Sequence, residues 1–103
     1  MILIVAKKAA GASSKINIAE IISKTDARYA LNSTFRLTGG TLSTDEYVQL
    51  QYHDGTTWRT ANIDGNDGKI LDEDTTVCTV YGNMKNMRLY KSITLATIGV
   101  EVV

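Results

Sequence analysis

The chain has 103 residues, with eleven basic residues balancing eleven acidic ones, 44% apolar residues and a single cysteine. That length fits one domain, which buries about two-thirds of the surface its unfolded chain exposes. The even charge balance supplies no global field to hold nucleic acid or an anionic membrane. One cysteine excludes an internal disulfide and a thiolate metal cluster, and it points to folding in a reducing cytoplasm.

The first segment, Met1-Ile2-Leu3-Ile4-Val5-Ala6 before Lys7-Lys8, places its charge after a short apolar run. A secretory signal has the opposite order and a longer run, so none is expected, and nothing approaches the apolar length of a membrane span. Ile2 to Val5 is a β-branched run and reads as a first strand. Ala9 to Ser14 is small and flexible, a loop or hinge. Together residues 1–14 are expected to form an extended arm ahead of a sandwich domain over residues 15–103. Ile16 to Ile22 fits either a strand or a short helix, and the alternation of Ile16 and Ile18 favours the strand.

From Tyr29 the pattern sharpens. Leu31, Ser33, Phe35 and Leu37 share one face of a strand, with Asn32, Thr34, Arg36 and Thr38 on the other, and Gly39-Gly40 ends it. Val48, Leu50 and Tyr52 alternate with Tyr47, Gln49 and Gln51 in the same way. Asp54-Gly55 tolerates positive φ, so the chain reverses there into a return arm over Thr57 to Ile63 that carries Trp58. Asp64 to Gly68 is a loop, Lys69 to Leu71 a short strand or bulge, and Asp72-Glu73-Asp74 an acidic turn. Val77 to Tyr81, Met87 to Lys91 and Ile98 to Val103 complete the set. Seven to eight short strands separated by turns predict an all-β fold, a single antiparallel Ig-like β-sandwich. The chain has no proline to blunt its sheet edges, and its apolar last strand is expected to be covered by a partner, by the N-terminal arm or within the monomer.

Chemistry-bearing residues are sparse. His53 sits beside the hairpin turn, and Ser13, Ser14 and Ser43 lie in loops without a Gly-x-Ser-x-Gly elbow, so no nucleophile–base pair is assigned. Gly39-Gly40 lacks the lysine and helix start of a phosphate-binding loop. Asn62, Asp64, Asn66 and Glu73 partly match a calcium loop, but Asp67 stands where that loop needs glycine, and a solvated turn is the expected outcome. Cys78, inside a strand, reads as a small buried thiol rather than a reactive one. Tyr47, Tyr52, Trp58, Tyr81 and Tyr90 could stack sugars, yet large rings in a small sandwich are normally core or rim, and Trp58 is expected to cap the core. Tyr47 differs, since it points away from the apolar face of its strand. No enzyme activity, cofactor or metal is expected.

The order of features resembles the small β-sandwich proteins of tailed-bacteriophage virions. The resemblance lies in the Ala9 to Ser14 segment, the strand Ser33-Thr34-Phe35-Arg36-Leu37-Thr38-Gly39, and the strand and Asp-Gly-x-x-Trp turn from Tyr47 to Trp58. It extends to Met87-Arg88-Leu89-Tyr90-Lys91-Ser92 and the Gly99-Val100-Glu101-Val102 ending. The resemblance implies a capsid decoration (cement) protein, a head-fibre base, or a neck or tail accessory, and no catalytic residues travel with it. The expected partner is therefore the major capsid protein or another virion protein, on the capsid exterior after assembly in the host cytoplasm. Ile2, Leu3, Ile4 and Val5 are expected to add a strand to a neighbouring sheet, with Tyr47 and Val103 as further partner contacts. A homotrimer would hide exposed edges. The alternative expectation is a carbohydrate-binding or host-attachment module of a fibre, neck or tail.

Overall fold

The computed structural model describes residues 2–16, 32–61, 67–81 and 86–103. Among these it contains nine strands and no helix: β1 (Ile2–Lys7), β2 (Gly11–Ala12), β3 (Asn32–Thr38), β4 (Val48–His53), β5 (Trp58–Thr60), β6 (Lys69–Leu71), β7 (Val77–Tyr81), β8 (Met87–Lys91) and β9 (Ile98–Val102). They form two antiparallel sheets, ordered β1-β9-β3-β7 and β2-β8-β4-β5, with β6 also paired to β4. The expected antiparallel β-sandwich is what the chain forms. The strand beyond those expected is β2, a two-residue pairing with β8 inside the Ala9 to Ser14 segment that reads as a loop or hinge.

Period-2 patterning explains the layering. In β3, Ser33, Phe35 and Leu37 are buried while Arg36 is exposed, and in β4 Val48 and Leu50 are fully buried. These face Leu71 and Leu89 from the second sheet and Ile4, Val80, Ile98, Val100 and Val102 from the first, in one continuous core. Fully burying a leucine or phenylalanine side chain stabilises by about 1.5–3 kcal/mol, so this set is the principal term holding the layers together.

One edge of β4 pairs with β8; the other is shared end to end by β5 and β6. The handover is at Leu50, whose carbonyl accepts the Ala61 N–H at 2.9 Å and whose N–H donates to the Gly68 carbonyl at 2.7 Å. Gly68 has φ 72°, and a Cβ there would lie 2.7 Å from both the Leu50 and Ala61 carbonyl oxygens. Only glycine fits that crossing.

The hairpin is longer than a two-residue reversal. His53 pairs with Trp58, leaving residues 54–57 as the loop. Of the Asp54-Gly55 pair only Gly55 takes positive φ. Asp54 acts through its side chain: Oδ1 accepts the N–H groups of Thr56 and Thr57 at 2.8 Å, and Oδ2 accepts from the Arg59 guanidinium. Those donors, led by Thr57, hold the Asp54 carboxyl far below its ordinary range.

The N-terminal segment is not a free arm over the described residues. β1 pairs antiparallel with β9, so the apolar last strand is covered inside the same chain. Gly99 permits the approach, since a Cβ there would sit 2.6 Å from the Ile4 carbonyl oxygen and from Thr38 Oγ1. Ile16 is buried and its N–H donates to the Met87 carbonyl at 2.9 Å. The ambiguous stretch beyond it, Ile18 to Ile22, lies outside the described residues, as does Leu31.

Candidate functional site

The expected partner residues separate by sheet. Ile2 and Val5 are 64% and 73% exposed, Leu3 is half-buried against the core, and Ile4 is 3% exposed and points inward. Ile4 therefore belongs to the core and is not available to a partner. Ile2 pairs with Glu101, which brings it to the same end of the sheet as Val103, itself 56% exposed. Val103 is anchored there by its N–H, which donates to the Thr34 carbonyl at 2.9 Å. Beside them, Glu101 accepts from the Arg36 guanidinium across the β3–β9 pair. Tyr47 lies on the other sheet and does not join this group.

Among the exposed apolar residues absent from the expected set, Ile93 and Leu95 stand in the β8–β9 connection and Val77 in β7. Ile93 and Leu95 project because Thr94 between them turns in. Its N–H donates to the Lys8 carbonyl at 2.9 Å, and its hydroxyl accepts from Lys91 Nζ at 2.9 Å. Lys91 is completely buried, and Nζ also donates to the carbonyls of Ala9 and Ser92 at 3.1 and 3.0 Å. Burial first, and then the neighbouring Lys7 charge, push the Lys91 ammonium below its ordinary value, with Glu46 opposing. Glu46 is buried too, its carboxylate accepting from the Ser43 and Leu95 N–H groups at 2.7 Å each. This polar knot ties the β1–β2 link, the Ser43 turn and the β8–β9 loop to one another.

The outer face of the second sheet carries Trp58, Tyr90 and Tyr47, whereas Tyr81 is exposed on β7 of the first sheet. Trp58 does not cap the core: it stands opposite His53 on the outward side, with the two rings edge to face at 5.1 Å. The Arg88 guanidinium covers the indole at 4.2 Å, and its Nε donates to Gln51 Oε1 at 2.8 Å. Gln51 donates in turn to Gln49 Oε1 at 2.8 Å, and Gln49 to the Asp67 carbonyl at 3.4 Å. Tyr47 is half-buried beneath the Lys69 ammonium, which lies 4.9 Å above its ring. Tyr52, grouped by parity with Val48 and Leu50, is exposed at the hairpin end.

A shallow polar recess of about 180 Å³ lies beside Tyr47 and Lys69, lined further by Asp45, Asp72, Glu73 and Asp74. Of the candidate calcium ligands, Asn62, Asp64 and Asn66 lie outside the described residues, and Glu73 Oε2 accepts from the Thr44 hydroxyl at 3.1 Å. Among the described residues no cluster of His, Cys, Asp and Glu has metal-binding geometry. His53 Nδ1 accepts the Gly55 N–H at 3.1 Å, closing the hairpin turn. Ser13 is buried, and its hydroxyl accepts the Leu89 N–H at 3.0 Å, a β2–β8 fastening. Cys78 is half-buried against the core, and burial raises its thiol pKa.

No protein-family profile, curated protein or solved structure matches this chain.

Proposed function

We propose that this chain is a structural protein of a tailed-bacteriophage virion, a capsid decoration protein that binds the outside of the assembled head and bridges neighbouring capsid subunits. The reading rests on the resemblance in residue order described above. The observation that carries it to a surface is the exposed apolar trio Ile2, Val5 and Val103 on a sheet whose end strand, β1, has no pairing partner on its outer side among the described residues. Covering apolar area contributes about 25 cal/mol per Å², so these exposed side chains can hold the chain on an apolar patch of a capsid subunit. Repetition over many identical capsid sites then supplies avidity without any strong single contact.

Removing residues 1–8 is a poor test, because it would take Ile4 from the core and a carbonyl from the Lys91–Thr94 knot. Val5→Asp is better: it changes an exposed side chain and should leave the fold intact while reducing occupancy on capsids lacking this protein at least about tenfold. Undiminished co-sedimentation of the folded variant would remove this surface from the account.

A second reading, a carbohydrate-binding or host-attachment module, draws on one observation. Trp58 is on the outer face, beside a strip of glutamine amides and Arg88. Rings and amides on a flat sheet are what a glycan chain stacks on and bonds to. Titrating the chain with an oligosaccharide panel while following Trp58 fluorescence separates the two readings, with saturable binding favouring this one.

A further inference from the structure

The two end strands of the first sheet are built differently. β1 meets β9 with register shifts between Ile2 and Ile4 and between Ile4 and Lys7, and it ends in a lysine. Irregular pairing and lysine are the devices by which natural sheets blunt an edge. β7 has neither. Its five residues Val77-Cys78-Thr79-Val80-Tyr81 pair with β3 in unbroken register, with no charge, no glycine and no proline. Such a strand, regular and rich in β-branched and aromatic residues, is a template for another strand.

The backbone phase of that edge follows from one bond. The Leu37 N–H donates to the Thr76 carbonyl at 3.1 Å, so Thr76 directs its backbone groups at β3. Alternation then turns those of Cys78 and Val80 to β3 as well, and those of Val77, Thr79 and Tyr81 outward. Among the described residues no strand pairs with that outer side. The side chains of the same three residues are exposed, Val77 at 49% and Tyr81 at 76%.

We propose that β7 pairs antiparallel with β7 of a second copy of this chain, about a two-fold axis through Thr79. The strand is chemically self-complementary in that register. Thr79 meets its own copy, and Val77 meets Tyr81 of the other chain twice. An aromatic opposite a β-branched residue is a favourable cross-strand pair, as is threonine opposite threonine. No like charges meet, because the strand has none. Each of the three outward pairs exchanges two N–H···O bonds, about six in all, and the four-stranded sheet becomes continuous across the dimer. An isologous contact of this kind closes on itself instead of propagating into fibres. The inference goes beyond the virion reading and does not rest on it; a trimer would need a different surface.

The test is sedimentation of the full chain from micromolar to millimolar concentration, with amide exchange read at both ends of the range. The expected result is a monomer–dimer equilibrium, with protection at Val77, Thr79 and Tyr81 that rises with concentration. Thr79→Lys sets two ammonium groups opposite each other on an exposed site. It should keep the circular dichroism spectrum and raise the dimer Kd at least about tenfold. In a Cys78→Ala background, Thr79→Cys places two thiols across the axis with Cα atoms about 5.5 Å apart, within disulfide reach, and should yield a covalent dimer on mild oxidation. A chain that stays monomeric through millimolar concentration overturns the proposal. So does a dimer indifferent to Thr79→Lys, or Thr79 protection that persists in dilute monomer, which would mean an edge closed within one chain.

Discussion

Lys91 and Ser33 show how single polar side chains stand in an apolar core. The Lys91 ammonium is satisfied by carbonyls and the Thr94 hydroxyl, so removing it takes the donor from several acceptors, of which the Thr94 hydroxyl is buried. Lys91→Met is expected to cost about 1–3 kcal/mol near neutral pH. The lowered folded-state pKa fixes the sign of its pH dependence. Well below that pKa both states carry the proton and the cost of burying charge is present in full. Between it and the ordinary value of 10.5 the unfolded chain holds a proton that the native chain has lost, so stability rises with pH. Denaturant melts of wild type and Lys91→Met across that alkaline limb should show the wild-type advantage growing as pH rises; a constant difference would contradict the buried-charge account. Ser33 is the opposite case, its buried hydroxyl without a hydrogen-bond partner among the described residues. Ser33→Ala should therefore be neutral or stabilising by about 1 kcal/mol, and a fall in Tm would show that the hydroxyl is bonded.

Strand patterning was readable wherever one face is buried. The alternation Ser33-Phe35-Leu37 and Val48-Leu50 gave β3 and β4 directly, because a one-residue slip would turn every apolar side chain to water. Ring size favours burial of Trp58, but the ladder sets it opposite His53 on the outer face and Arg88 supplies its cover. Lys91 shares parity with the buried Leu89 and is buried with it, its charge met by carbonyls and the Thr94 hydroxyl that no local pattern announces. The bulged fit of β1 on β9 could not be read from β1 at all; its signal was the glycine in β9, whose missing Cβ makes the room. Gly99→Val should push β1 away while leaving the β3–β7 ladder in place. Amide exchange should quicken across Ile2 to Lys7 and stay slow across Ser33 to Leu37, with Thr38, whose hydroxyl the new side chain also meets, the one β3 position affected; equal loosening of both strands would place the role of Gly99 elsewhere.

At the scale of the molecule, two sheets enclose one core, and what remains outside is a divided surface. The first sheet offers apolar residues at its β1 side and a smooth uncharged edge at β7. The second offers a polar and aromatic face whose glutamines and Arg88 are already bonded to one another. The sandwich was legible from patterning and turns alone. The division of the surface was not, because it depends on which strands end up at the sheet ends, a property of long-range pairing rather than of local sequence. The distribution suits adhesion through the first sheet, and the virion reading assigns that adhesion to the capsid.

Imaging purified virions, with this chain located in the density, tests that central claim most directly. The account predicts this sandwich at repeating sites on the outer head surface, with Ile2, Val5 and Val103 turned to the capsid. Particles that lack the chain, or carry it with that surface facing solvent, would contradict it.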